Sequence, residues 1–183
     1  LHGGGSGRVE PINETSIYEG IAALGAKKGI EVKYIDGYDH MDNVIFTGSG
    51  SDEQGFRGEY FNNMERQGTP ARRTDTKIDF DFQNGTCVNG IGTSKYSIRW
   101  TGELRPTASG EYTFTWGGDD GFRRYINDPR VIDDWNPGQE RYKTYKQNLA
   151  AGTIYNIKVE YYQDGGGAMV DFYWTKTGSD DYF

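Results

Sequence analysis

The run Gly110-Glu-Tyr-Thr-Phe-Thr-Trp-Gly-Gly-Asp119-Asp120-Gly-Phe-Arg-Arg-Tyr-Ile-Asn-Asp128 decides the fold class. In its first half, Tyr112, Phe114 and Trp116 alternate with threonines, which is the period-two pattern of a half-buried β-strand. A glycine-flanked pair of aspartates and a second short alternating run follow. The pattern predicts a β-hairpin that carries two adjacent carboxylates at its turn.

The same pattern of short strands and tight turns continues over most of the chain. The candidate strands are Phe56–Phe61, Lys77–Phe82, Lys95–Leu104, Glu111–Trp116, Phe122–Ile126, Arg130–Asp134, Tyr142–Asn148, Tyr155–Tyr162 and Ala168–Thr175. In Tyr155–Tyr162 the odd positions are predicted to face inward, and Asn156, Lys158 and Glu160 to face outward. Short strands with this spacing and no long helix predict an all-β fold, an antiparallel sandwich or barrel over residues 53–183.

Residues 1–52 have a different pattern of predicted secondary structure. A helix is predicted after a cap at Thr15 or Ser16, with Ile17, Ile21, Ala22 and Leu24 as its apolar stripe. Glu31–Ile35 alternates like a strand, and Gly37–Glu53 is interpreted as a polar linker. One helix and one strand cannot close a domain. Because the chain also begins at Leu1 rather than Met, we expect an excised piece of a longer protein with a short N-terminal α/β segment.

Charge and cysteine content narrow the function classes. Twenty Lys and Arg against 27 Asp and Glu give a net charge of −7, which argues against nucleic acid or an anionic membrane as partner. No apolar run approaches the roughly 18 residues of a membrane helix. The single cysteine, Cys87, excludes an internal disulfide and a cysteine-based zinc site, and is expected to be a small buried hydrophobe.

The adjacent pair Asp119 and Asp120 has three interpretations. Neighbours on an extended strand point to opposite faces, which suits a glycosidase acid/base pair badly because its carboxyls must flank one sugar. An acidic solvated turn needs no ligand. A site for Ca²⁺ or a polyol requires the backbone to bend until both carboxylates turn the same way, and such hard oxygen ligands suit Ca²⁺.

Two further segments are candidates for ligand binding. Gln163-Asp164-Gly165-Gly166-Gly167, between the last two predicted strands, is the natural partner loop of the aspartate pair. It offers an amide, a carboxylate and a backbone open to close approach, although a plain glycine hairpin explains it as well. Trp135 follows two aspartates, and its ring could lie against the apolar face of a sugar, although a buried Trp is the commoner case. The predicted ligand-binding residues are Asp119, Asp120, Trp135, Gln163, Asp164, Gly165 and Gly166, with Asp119 and Asp120 as metal ligands.

Five ordered blocks resemble the protective-antigen (PA-fourteen) β-barrel domain. They are Phe56-Arg-Gly-Glu-Tyr-Phe, Ser97-Ile-Arg-Trp-Thr-Gly-Glu-Leu-Arg-Pro, Gly110-Glu-Tyr-Thr-Phe, Asp119-Asp120-Gly-Phe-Arg-Arg-Tyr-Ile and Gly152-Thr-Ile-Tyr-Asn-Ile-Lys-Val-Glu-Tyr-Tyr. The resemblance implies glycan binding and, in the adhesin branch, Ca²⁺ held by the paired aspartates through a cis peptide. Arg124 stands where the family usually has an apolar residue, and Asn127-Asp128-Pro129 replaces the usual Asp-Gly turn.

Residues before Gly37 resemble the second, α/β-sandwich domain of glycoside hydrolase family 3. The run Gly3-Gly4-Gly5-Ser6-Gly7-Arg8-Val9, then Tyr18-Glu19-Gly20-Ile21 and Val32-Lys33-Tyr34, carries this resemblance. It implies a carbohydrate-binding module inserted in a bacterial β-glucosidase that degrades polysaccharides outside the cell or in the periplasm. The expected partners are oligosaccharide or polysaccharide and the rest of the enzyme. The chain alone holds no catalytic pair, and a structural or dimerisation insertion is the alternative.

Overall fold

The computed structural model describes residues 17–30, 32 and 43–178, which fall in two compact units, one within Leu1–His40 and one within Met41–Phe183. In the first unit, helix α1 runs over Ile17–Lys27 and ends before Gly29, whose φ of +69° suits glycine. Ile21 and Leu24 of the predicted stripe are 53% and 57% exposed. The predicted cap and, apart from Val32, the predicted strand Glu31–Ile35 lie outside the described residues.

The second unit is an antiparallel β-sandwich, which confirms the predicted fold class. Its strands are β1 (Asn43–Phe46), β2 (Phe56–Phe61), β3 (Ala71–Asp75), β4 (Ile78–Asp81), β5 (Tyr96–Pro106), β6 (Gly110–Asp119), β7 (Gly121–Ile126), β8 (Arg130–Asp134), β9 (Arg141–Leu149), β10 (Tyr155–Gln163) and β11 (Met169–Lys176). A seven-stranded sheet has the order β3-β2-β5-β10-β7-β8 with β1 also paired to β5, and a four-stranded sheet has the order β4-β11-β6-β9. No helix among the described residues is long and apolar enough to cross a membrane.

Each of the nine strands predicted between Phe56 and Thr175 overlaps an observed one, and two strands observed among the described residues were not predicted. β1 lies in the segment interpreted as a polar linker, yet it pairs with β5 from Asn43 opposite Pro106 to Phe46 opposite Glu103. β3 consists of Ala-Arg-Arg-Thr-Asp, which offers no apolar alternation to detect, and it is held at the sheet edge by its pairing with β2.

Aromatic side chains from both sheets fill the space between them. Tyr112, Phe114 and Trp116 are fully buried, as their alternation predicted, and the Trp116 ring stacks on Phe172 with centroids 4.3 Å apart. The odd positions of β10 are buried as expected. Cys87 is also buried, and its burial raises the pKa of the thiol to about 11. The core therefore matches the pattern of the sequence.

The outer face of the seven-stranded sheet carries a row of alternating charges that crosses six strands. The row runs, in register, Arg72, Glu59, Arg99, Glu160, Arg123, Asp133. Ion pairs join Arg72 to Glu59 at 3.1 Å, Arg99 to Glu160 at 3.3 Å and Arg123 to Asp133 at 2.8 Å. Glu160 faces outward as predicted, but arginine side chains cover it and leave it only 5% exposed. We refer to this row as the charge ladder.

Arg124 is the exception in the core. Its side chain is fully buried, and its guanidinium carbon lies 3.2 Å from the ring centre of Trp116 and 4.5 Å from that of Phe172. None of its three guanidinium nitrogens has a hydrogen-bond partner among the described residues. Burial therefore lowers the pKa of Arg124 well below its usual value, and the aromatic rings around the guanidinium partly offset the cost of its charge.

Replacing Arg124 by Met should stabilise the sandwich. An apolar side chain of similar length removes the cost of an uncompensated buried charge, about 3–5 kcal/mol, which exceeds the roughly 2 kcal/mol of cation–π attraction lost with the guanidinium. We expect a melting temperature higher by about 2–6 °C, measured by calorimetry. Arg123→Met, on the outer face, is the control and should not raise it. A lower melting temperature for Arg124→Met than for the control would contradict this account.

Candidate functional site

The aspartate pair lies where β6 passes into β7, and a cis peptide bond joins Asp119 to Asp120. Asp120 is buried, and its carboxylate accepts two backbone hydrogen bonds, each of 2.8 Å. One comes from the N–H of Gly138, between β8 and β9, and the other from the N–H of Asp164, between β10 and β11. Asp120 thus joins three loops that are distant in the sequence. The predicted meeting of the aspartate pair with the Gln163–Gly167 segment occurs through this carboxylate.

Asp119 is turned differently and lines an open cleft. A Cβ at Gly167 would lie 3.3 Å from its Oδ2, so the absence of a side chain at Gly167 lets the loop lie close to this carboxylate. Burial, and then the neighbouring charge of Asp120, raises the pKa of Asp119, while Arg141 opposes the shift. A cation placed at this carboxylate would relieve the repulsion between the two aspartates.

The Gln163 side chain supports the loop from below. It is fully buried, and its Nε2 donates to the carbonyl oxygens of Gly167 at 2.7 Å and Gly166 at 3.3 Å. The Tyr161 hydroxyl lies 3.1 Å from Gln163 Oε1 and donates to the backbone carbonyl of Asp119. Both ends of the Gln163 amide are therefore used within the protein, where they position the loop relative to the aspartate pair.

The remaining loop residues are accessible. Gly165 and Gly166 are exposed, and Gly166 has a φ of +86°, a conformation that favours glycine. Asp164 is partly exposed, and its Oδ1 accepts a 2.6 Å hydrogen bond from Lys95 Nζ. This stretch can present backbone groups to a ligand, while the charge of Asp164 is balanced by Lys95.

Trp135 lies away from the cleft lining. Its ring packs against Tyr162 with centroids 4.6 Å apart, and the guanidinium carbons of Arg123 and Arg66 lie 4.4 and 4.9 Å from its centre. Three side chains thus already contact the indole, and it is partly buried. These contacts hold Arg66 and Arg123 against the indole, and ligand binding by Trp135 stays a prediction.

The cleft beside Asp119 has a volume of about 420 Å³ and a strongly acidic lining. Its carboxylates are Asp79, Asp81, Asp119, Glu140 and Asp171. Pairing of β11 with β4 and β6 brings most of them together, since Asp171 lies opposite Asp79 while Met169 lies opposite both Asp81 and Asp119. We call this the acidic cleft. Of the five carboxylates only Asp119 was predicted as a site residue. Strand register brings Asp79, Asp81 and Asp171 to it, and Glu140 lies in the loop that Asp120 holds.

Tyr142 provides an aromatic surface next to this cleft. Its residue is 46% exposed, and its hydroxyl donates a 3.0 Å hydrogen bond to Asp171 Oδ2. The ring packs over Gly117, where a Cβ would come within 2.5 Å of a ring carbon. Only glycine permits this approach, so Gly117 and Asp171 together fix the ring beside the carboxylates.

No group of three or more His, Cys, Asp or Glu side chains is arranged to hold a metal ion within the described residues. Asp119 and Asp120 offer carboxylate oxygens, which suit Ca²⁺ rather than softer metals. A Ca²⁺ ion held by this pair would need backbone carbonyl oxygens, waters or ligand hydroxyls to complete its six to eight ligands.

The sequence of this chain is similar to a known domain family and to curated proteins. The sequence profile described as "PA14 domain" matches residues 52–182. The anti-sigma-I factor RsgI3 of Acetivibrio thermocellus is 40% identical over 132 residues, 72% of this chain and 20% of that protein. The protective antigen of Bacillus anthracis is 26% identical over 140 residues, 74% of this chain and 18% of that protein. The chain thus spans about a fifth of the length of these curated relatives.

Solved structures have the same fold. An anti-sigma factor domain-containing protein superposes with a TM-score of 0.65 and 39% identity over 68% of this chain and 43% of that one. The β-glucosidase of Kluyveromyces marxianus superposes with a TM-score of 0.63 and 21% identity, over 98% of this chain and 24% of that one. The PA14 sugar-binding domain of an RTX adhesin covers 71% of this chain with 93% of its own, at a TM-score of 0.60 and 17% identity.

The Asp120 carboxylate gives a direct test of how the site is held together. In Asp120→Asn, an amide NH₂ must face one of the two backbone N–H donors. Buried donors are then left without an acceptor, which costs about 1–3 kcal/mol of folding stability. We expect a melting temperature lower by about 3–10 °C. Asp128→Asn, at an exposed turn, is the control and should melt like the unmutated chain. If the two variants melt alike, Asp120 does not hold these loops.

Proposed function

The chain belongs to the PA14 domain family, and from this premise we propose that it binds carbohydrate in the acidic cleft beside Asp119 and Asp120. The fold it shares with the sugar-binding domain of an RTX adhesin supports this assignment. The observation that carries it is the exposed Tyr142 ring, which Gly117 and Asp171 hold beside a group of carboxylates. Sugars present apolar C–H faces and hydroxyl donors, and this arrangement offers a partner for each.

The charges of the cleft limit which sugars it accepts. Burial raises the pKa of Asp171, and the carboxylates of Asp79, Glu140 and Asp81 raise it further, against the opposing hydrogen bond from Tyr142. A carboxylate-bearing sugar would add another negative charge to this surface and be repelled. Neutral saccharides, whose hydroxyls donate to the carboxylates, are therefore the ligand class we propose.

We also propose that Ca²⁺ binds at Asp119 and Asp120. The cleft-facing carboxylate of Asp119 and the adjacent Asp120 are hard oxygen donors, and the exposed Gly165 and Gly166 leave room for a ligand at the loop. When bound, the ion would attract sugar hydroxyls directly. Gln163 and Tyr161 keep the loop and the Asp119 backbone in place for this contact.

For the whole protein we propose a glycoside hydrolase, with this chain inserted as a module that shapes or extends its glycan site. The match to a β-glucosidase covers 98% of this chain, including residues before the PA14 match, whereas the match to RsgI3 covers 72%. An enzyme that degrades polysaccharide would work outside the cell or in the periplasm of a bacterium. Hydrolysis of aryl β-glucosides by the full-length protein would test this assignment.

Glycan binding is tested by calorimetry with neutral oligosaccharides such as β-glucans and xylans. Tyr142→Ala should weaken binding about tenfold, or 1.4 kcal/mol, because the sugar loses its aromatic surface. Tyr142→Phe keeps the ring and should bind within about threefold of the unmutated chain. Lys146→Gln, on the same strand, is the control and should bind normally. Equal affinity in Tyr142→Ala and the control would remove Tyr142 from the site.

Calcium binding is tested by thermal denaturation in Ca²⁺ and in chelator. For the unmutated chain, Ca²⁺ at about a hundredfold above Kd should raise the melting temperature by about 5–10 °C. Asp119→Asn should lose this rise, yet melt at the same or a higher temperature in chelator, because the neutral amide no longer repels Asp120. Equal melting temperatures of the unmutated chain in both solutions would exclude the proposed calcium site.

A further inference from the structure

The outer face of the seven-stranded sheet contains a second row that differs from the charge ladder. Side chains two residues apart on a strand share a face. The outward neighbours of Glu59, Arg99 and Glu160 are therefore Arg57 on β2, Thr101 on β5 and Lys158 on β10, and Thr101 pairs with both of the others. Neighbouring strands lie about 4.8 Å apart, so Arg57 and Lys158 stand on either side of Thr101 with their Cα atoms about 10 Å from each other. We call this the cationic row.

The two rows differ in whether their charges are paired. In the charge ladder, Arg99 at the centre is flanked by two glutamates and pairs with Glu160 at 3.3 Å and Glu59 at 3.7 Å. In the cationic row, the flanking residues are the cations and the centre is a neutral Thr101. Neither Arg57 nor Lys158 forms an ion pair with any residue that the structure describes. The negative charge that neutralises the first row has no counterpart within the second.

A cleft of about 350 Å³ opens over the cationic row. The turn containing Thr47, Gly48 and Ser49 forms one side, and the turn containing Asn127 and Asp128 lies at another. The first of these turns precedes residue 52, where the PA14 match begins, so this wall is a feature of the present chain beyond the family profile.

The positions of the charged groups favour an anion in this cleft. The Lys158 Nζ lies 3.7 Å from the centre of the Tyr125 ring, which holds the ammonium group over the cleft floor. Two carboxylates also line the cleft, but Glu103 is buried and its Oε2 is paired with Arg105 at 3.2 Å. Asp128 lies at the exposed turn. The unpaired cations Arg57 and Lys158 are therefore the dominant charges on the floor.

We propose that this second cleft binds the oxyanion of an acidic saccharide, a carboxylate or a sulfate ester, between Arg57 and Lys158 and above Thr101. The guanidinium of Arg57 can donate two parallel hydrogen bonds to such a group, and the ammonium of Lys158 adds a second charge-assisted contact. That the ligand is a saccharide rests on the proposed function, whereas the recognition of an oxyanion rests on the cationic row alone.

The proposal is tested by NMR titration of the isotopically labelled full chain with glucuronic acid, glucose 6-sulfate, inorganic sulfate and glucose. The two acidic sugars should shift the backbone amide signals of Thr101 and Lys158 saturably and more tightly than inorganic sulfate does, and glucose should leave these signals unchanged. The double variant Arg57→Gln/Lys158→Gln should bind the preferred acidic sugar at least about tenfold more weakly. Higher salt should weaken binding by the unmutated chain.

A matched variant controls for net charge. Arg72→Gln/Lys146→Gln also removes two exposed cations, but from positions outside the cleft, and should bind acidic sugars like the unmutated chain. Equal weakening in both double variants, or shifts that map to the acidic cleft, would overturn the proposal. Equal affinity for inorganic sulfate and the acidic sugars would overturn its saccharide part. Tyr142→Ala should leave the binding of acidic sugars intact. A failed proposal for neutral saccharides at the acidic cleft can therefore be told apart from a failed proposal for the second cleft.

Discussion

The buried carboxylate of Asp120 is the constraint on which the acidic cleft depends. Its two oxygens accept backbone hydrogen bonds from Gly138 and Asp164, so one side chain fixes the loops that follow β8 and β10. Hydrogen bonds from neutral donors to an ionised acceptor are stronger than those between neutral groups, and a buried carboxylate requires such partners. Because Glu140 lies two residues beyond Gly138 and Gly167 lies three beyond Asp164, the same bonds set the positions of residues that line the cleft.

The aromatic core explains why the candidate sites lie on the outer faces of the sandwich. Rings such as Trp100, Trp116 and Phe122 are fully buried between the sheets, and both clefts described above open instead at the outer surfaces and the loops. On the four-stranded sheet, Gly117 removes a side chain from the outer face, and Tyr142 lies in the space it leaves. Strand pairing and a single glycine thus convert a flat sheet surface into an aromatic surface beside a cleft.

The sequence predicted the features that alternation or adjacency reveals. Strands with alternating aromatic residues, such as Glu111–Trp116, were found because their burial has a period of two, whereas β3 is too polar to show it. The meeting of Asp120 with the loop at Asp164 was predicted, but Gln163 and Trp135 prove to contact other protein groups. Asp79 and Asp171 were missed because strand register alone makes them neighbours, although each alternates with buried or partly buried apolar residues.

The two outer faces place opposite charges over their clefts, although the chain carries a net charge of −7. Five carboxylates line the cleft on the four-stranded sheet, while Arg57 and Lys158 stand unpaired on the seven-stranded sheet beside a ladder whose charges cancel. The sheets of a sandwich pack about 10 Å apart, and outward side chains add to that separation. Since physiological salt screens exposed charges beyond about 8 Å, each cleft is governed by its own lining rather than by the net charge. Under the two proposals, the two faces of one small domain would select different saccharides by charge.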